Sequence, residues 1–74
     1  MSLANAPLAT PLRITGIRPE GAMSYRLMEM GLIEGAQVEV VRRAPLGDPL
    51  HVRLGDYHLS LRASDADLVD VSDH

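Results

Sequence analysis

The chain has 74 residues, enough for one small domain, with 46% hydrophobic content, two tyrosines, no phenylalanine or tryptophan, and no cysteine. Without cysteine there is no disulfide staple, no thiolate nucleophile and no cysteine metal cluster, and so small a core supplies only about 3–5 kcal/mol unaided. Ten acidic residues against seven arginines give a net charge of −3. The arginines are scattered except for Arg42–Arg43, so there is no basic stripe for nucleic acid, and no apolar run approaches the roughly 20 residues of a membrane span.

In chain order, residues 1–11 read as an extended lead-in stiffened by Pro7 and Pro11, from which Leu3 and Leu8 can tuck onto the domain. No basic segment precedes its apolar residues, so a signal peptide or anchor is not expected and the expected location is the cytoplasm. The domain proper is expected over 12–74. Leu12, Ile14 and Gly16 alternate with Arg13 and Thr15 as a half-buried strand, and Gly16 followed by Ile17 suggests a bulge or bend. Pro19-Glu20-Gly21 is a turn. From Ala22 to Met30 the spacing is helical, with Met23, Leu27 and Met30 on one face. Gly31 stands where a helix stop with positive φ belongs, and such a stop would bring Leu32 against Leu27.

Gly35 introduces a strand from Ala36 to Ala44, with Val38 and Val40 on one side and Gln37, Glu39, Val41 and Arg43 on the other. Ala44 to Pro49 is a rigid loop built on Pro45, Gly47 and Pro49. The clearest element is a hairpin in which Leu50–Leu54 and Tyr57–Leu61 flank Gly55-Asp56, a two-residue turn. Its register pairs Leu54 with Tyr57, Arg53 with His58, and His51 with Ser60. Leu50, Val52, Leu54, Tyr57, Leu59 and Leu61 then share an apolar face, and His51, Arg53, His58 and Ser60 a wet one. Ser64 to Asp67 reads as a capping box opening a single helical turn, and Leu68 to Val71 as a closing strand. Short strands with one small helix predict a mostly β, partly open small barrel.

Several elements in order resemble the FeoA family: Arg26-Leu27, Met30-Gly31-Leu32, Gly35, Val38 and Val40, the loop Ala44-Pro45-Leu46-Gly47-Asp48-Pro49, Leu61-Arg62 before Ala66, and Val69 with Val71. The resemblance covers about Leu12 to Val71. It implies an SH3-like β-barrel with one inserted helix, and a bacterial cytosolic accessory to the GTPase transporter FeoB, which moves Fe²⁺. The N-terminus departs from the family pattern, because Ala9-Thr10-Pro11 stands where a glycine usually precedes the first long strand.

His51 and His58 are diagonal neighbours on the wet hairpin face, where two imidazoles can converge on Fe²⁺ or Zn²⁺. A closed site needs about four ligands, and Asp48 and His74 are the further candidates; the plainer reading is two solvated histidines. Met23, Met28 and Met30 suggest core filling more than a soft-metal box. Met28 falls off the buried stripe and, with Tyr25 and Leu32, outlines a second apolar strip. Flanked by Arg26 and Glu29, themselves an i,i+3 pair, Tyr25 and Met28 form the expected partner-binding face. No serine has a histidine–carboxylate relay, and no phosphate loop is present, so an enzyme is not expected. Two tyrosines do not make a groove for proline-rich ligands.

The expected function is therefore an adaptor of ferrous iron uptake that contacts the cytosolic part of a FeoB-type transporter. Two rivals stand beside it. One is a metal-sensing module like the SH3-like C-terminal domain of iron-dependent repressors of the diphtheria-toxin-repressor type. The other is a structural subunit that homo-oligomerises.

Overall fold

A computed structural model describes residues 1–73. Five strands form one antiparallel sheet: β1 (Leu12–Ile17), β2 (Gln37–Arg43), β3 (Leu50–Leu54), β4 (Tyr57–Leu61) and β5 (Val69–Ser72), in the order β4-β3-β2-β1-β5. Helix α1 (Ala22–Glu29) joins β1 to β2, and a single turn, α2 (Ala63–Ala66), joins β4 to β5. The sheet does not close; β4 and β5 are its outer strands, and a bridge between Ser2 and Asp70 covers part of the β5 edge. The mostly β expectation with one short helix holds.

The core follows the alternation read from the sequence. Leu12, Ile14, Val38, Val40, Leu50, Val52, Leu54, Leu61, Val69 and Val71 are buried on one side of the sheet, and Leu27 and Leu32 close over them. Two bulges adjust the pattern. Between Ile14 and Gly16 the pairing with β5 slips by one residue, the irregularity that Gly16 foretold. The second lies at Val41, where Val40 faces Val52 but Arg42 faces His51 and Arg43 faces Leu50. The extra residue turns Arg43 to the core side, against the strict alternation expected for this strand. There its Nη2 donates to the carbonyls of Ala4 (2.8 Å) and Ala6 (2.9 Å).

That contact ties down the N-terminal segment, which differs from the extended lead-in expected for residues 1–11. Leu3–Asn5 coil into a 3-10 turn packed against α2 and β5. Leu3 is fully buried and Ala6 nearly so. The Met1 carbonyl accepts from the Val71 amide at 2.8 Å, and the Ala9 amide donates to the Val40 carbonyl at 2.8 Å. The physical reason is that Leu3 fills the open end of a small core, which a solvated extended strand would leave uncovered.

The stop of α1 is a Schellman motif. Gly31 has φ 102°, its amide donates to the Met28 carbonyl (3.0 Å), and the Leu32 amide donates to the Leu27 carbonyl (3.1 Å). Leu27 and Leu32 are both buried, as that geometry requires. Gly35, at φ 91°, lets its amide reach the Ile14 carbonyl at 2.7 Å, while the Ile14 amide donates to the Ala36 carbonyl at 2.9 Å, locking the turn after α1 to β1.

The β3–β4 hairpin has the predicted register throughout, from Leu54 opposite Tyr57 to Leu50 opposite Leu61. Its apolar face is less covered at the edge strand: Leu59 is half-buried and Tyr57 exposed. The α2 turn starts two residues earlier than the Ser64 capping box implied, with Arg62 at its N-cap. No side chain next to it caps it; Asp48 Oδ1, from the proline loop, accepts the Ala63 amide at 2.9 Å. A capping oxygen supplied across the fold replaces a local one.

Candidate functional site

Two surfaces carry the residues singled out in the sequence, and they lie on opposite sides of the β3–β4 hairpin. The first is the outer face of α1. The helix forms because Leu27, with half-buried Met23 and Met30, supplies an inward stripe, and buried Ser24 settles its hydroxyl on the Gly21 carbonyl at 2.9 Å. The opposite face is left to solvent. Tyr25 is 68% exposed and Met28 39% exposed, and Arg26 and Glu29 beside them are exposed as well.

Among the described residues the ion pairs are Arg18–Asp70 and Arg53–Glu39, so Arg26 and Glu29 do not pair with each other as the i,i+3 spacing suggested. Leu32 does not extend the exposed strip; the Schellman stop buries it, and its neighbour Ile33 is exposed instead, at 51%. Sequence reasoning missed Ile33, although the motif itself held the signal: if Leu32 is bound to Leu27, the next side chain points outward. Tyr57, on the core side of the hairpin, leans to the end of α1, and its hydroxyl donates to the Met30 carbonyl.

The proline loop is ordered by its own backbone. The Gly47 amide donates to the Ala44 carbonyl (2.7 Å), the Ala44 amide to the Pro49 carbonyl (3.0 Å), and the Asp48–Pro49 peptide is cis. Leu46 is held at its tip, 97% exposed.

The second surface is the wet face of the hairpin. His51 on β3 and His58 on β4 are diagonal across the strand pair, and their rings meet: Nε2 of His51 is 2.8 Å from Nδ1 of His58, with ring centroids 4.9 Å apart. One imidazole N–H donates to the lone pair of the other, the roles depending on the tautomer. Arg53, opposite His58, is bound to Glu39 Oε1 at 3.0 Å. The pair opens on a groove of about 380 Å³ lined by Arg42, Ala44, Pro49 and Ser60 as well as the two histidines. Among the described residues no third histidine or carboxylate joins them. Asp48, expected as a further ligand, is turned to the α2 amide instead, and His74 lies outside the described residues.

No helix among the described residues is long and apolar enough to cross a membrane. A family model described as "FeoA domain" matches residues 1–73. A curated relative, the Fe(2+) transport protein A/Fe(2+) transporter FeoB fusion protein of Porphyromonas gingivalis, is 40% identical over 58 residues, which are 78% of this chain and 7% of that protein. The chain therefore spans a small fraction of that relative. The solution structure of iron(II) transport protein A from Clostridium thermocellum is similar at 34% identity with a TM-score of 0.92, covering 99% of this chain and 45% of that one. The crystal structure of Stenotrophomonas maltophilia FeoA complexed with zinc, described as a prokaryotic SH3 domain protein, is similar at 33% identity with a TM-score of 0.86, covering 97% and 89%. A manganese-dependent transcriptional repressor shares the fold alone, at 13% identity and a TM-score of 0.88, covering 100% of this chain and 41% of that one.

Proposed function

Because this chain belongs to the FeoA family, whose place is in ferrous iron transport, we propose that it is an accessory protein of ferrous iron uptake that works by direct contact with the cytosolic part of a FeoB-type transporter. The observation that carries this reading is the Porphyromonas gingivalis fusion, in which the related domain and the transporter are one polypeptide. Tethering two modules raises their local concentration to the millimolar range for a short linker. A covalent link between them is what a contact partner would gain from most, because a weak interface becomes effectively permanent.

The surface that suits this contact is the outer face of α1. It presents an aromatic, a methionine and an arginine side by side, the residue types enriched at the centres of interfaces. Tyr25 contributes contact area at small conformational cost, having few rotatable bonds, and Met28 adapts its shape to a partner. Arg26 and Glu29 are free of ion pairs with each other and stand ready to set orientation and register. The protein acts here as a binding module on the cytosolic side, without chemistry of its own.

The experiment is a binding titration of the 74-residue chain against the isolated cytosolic part of a FeoB-type transporter. Saturable one-to-one association supports the reading. Absence of association at about 1 mM, near the effective concentration a short tether provides, refutes it.

A further inference from the structure

We infer that His51 and His58 are a two-imidazole clamp for a divalent first-row transition-metal ion, open on its remaining sides. The inference is independent of the contact proposed for α1, since the hairpin's wet face points away from that helix. It rests on how the two rings are aimed. The register places His51 on an inner strand and His58 on the edge strand, diagonal to each other, so two backbone anchors fix the spacing. From these anchors the rings turn one nitrogen each toward a common point, with Nε2 of His51 and Nδ1 of His58 2.8 Å apart.

That arrangement is one proton away from a chelate. Zinc binds imidazole nitrogen at about 2.0–2.1 Å in tetrahedral geometry, which sets two such donors about 3.3–3.4 Å apart. Replacing the shared proton by an ion therefore requires the nitrogens to separate by about half an ångström, a small side-chain rotation. His58 is exposed and His51 half-buried, so no core residue has to move. The groove beside them leaves room for water or a solute ligand to complete the coordination.

The charges nearby define the ion's other ligands. Both clamp groups ligate as neutral imidazoles and leave the ion's charge uncompensated. Arg53, across from His58, is neutralised by Glu39, but Arg42, across from His51, belongs to none of the ion pairs of the described residues. An anionic solute ligand on the ion, a carboxylate or chloride, would face Arg42 and relieve both charges at once. Imidazole donors suit Zn²⁺, Cu²⁺, Ni²⁺ and Fe²⁺, and Fe²⁺ is the weakest of these in the Irving–Williams order. Mg²⁺ and Ca²⁺ prefer oxygen ligands and gain little here.

The test is titration of the tag-free 74-residue chain with ZnCl₂, read by calorimetry and by amide and imidazole NMR shifts. The expected result is one-to-one binding, with the largest shifts at His51 and His58, unaffected by excess Mg²⁺. His51→Gln and His58→Gln are each expected to weaken Zn²⁺ binding by about tenfold or more, since a lost ligand counts for more than a lost outer-shell group. His51→Ala and His58→Ala repeat the test without the amide. Circular dichroism checks each fold, and any variant that keeps its fold decides the matter. No Zn²⁺ binding by the unaltered chain at millimolar ion, binding unchanged in both glutamine variants, or shifts centred elsewhere would overturn the inference.

Discussion

Replacing Gly31 probes backbone chemistry and core packing at one position. At φ 102° an L-residue is strained by about 1–2 kcal/mol. A Cβ at Gly31 would also stand 3.0 Å from Leu54 Cδ2 and 3.3 Å from Tyr57 Oη. Moving the tyrosine hydroxyl breaks its bond to the Met30 carbonyl, a further loss of about 1 kcal/mol. Gly31→Ala is therefore expected to cost about 2–3 kcal/mol, most of the stability available to so small a core. Gly35 supplies the comparison, because it has φ 91° but nothing within 4 Å of a built Cβ. Gly35→Ala carries the conformational part alone, about 1–2 kcal/mol. At about 4–8 °C per kcal/mol for a domain of this size, Gly31→Ala melts about 10–20 °C below the unaltered chain and Gly35→Ala about half as far. Thermal melts and urea midpoints by circular dichroism measure both. Equal losses would show that Leu54 and Tyr57 do not crowd Gly31, and an unchanged Gly31→Ala would refute the Schellman stop.

Three further outcomes follow from the packing. Val52→Asp buries an unpaired charge on an inner strand and is expected to abolish folding, whereas Leu59→Asp on the half-covered edge costs about 1–2 kcal/mol and Ser60→Asp stays within about 0.5 kcal/mol. Urea titration orders the three, and any other order contradicts the assigned faces. Leu3→Ala is expected to cost about 2–4 kcal/mol by leaving a void beneath α2, measured by the same titration; a loss below about 0.5 kcal/mol would mean that the N-terminal turn is not part of the core. Asp48→Ala removes the oxygen that accepts the Ala63 amide and should lower stability by about 1 kcal/mol, with faster hydrogen exchange at Ala63 by NMR. An unchanged exchange rate there would sink the capping role.

What the sequence made legible was periodic and local. The hairpin register followed from a two-residue turn flanked by clean alternation, and the Schellman stop from a helical period ending at glycine. Where the reading failed, one extra residue or a distant partner intervened. The bulge at Val41 reversed Arg43, and nothing in the run Val-Glu-Val-Val-Arg-Arg marks which residue is extra. Leu3 tucks onto the domain as expected, but the 3-10 turn that carries it and the capping of α2 by Asp48 depend on chain segments far apart in sequence, which spacing cannot reveal. The candidate sites divide the same way. The diagonal His51–His58 placement was fixed by register, while the meeting of their rings and the exposure of Ile33 came from side-chain geometry and from the fold around the α1 stop.

The contact proposed for this domain runs through the outer face of α1. It is tested most directly by the affinity of the Tyr25→Ala/Met28→Ser double variant for the transporter's cytosolic part, alongside its circular dichroism and melting curve. The expected result is a domain that stays folded, because Leu27 with Met23 and Met30 holds the inner face, and binding weakened by about 2 kcal/mol or more, roughly thirtyfold. A folded double variant that binds as tightly as the unaltered chain would contradict it and move the contact to another surface, first to the loop that carries Leu46.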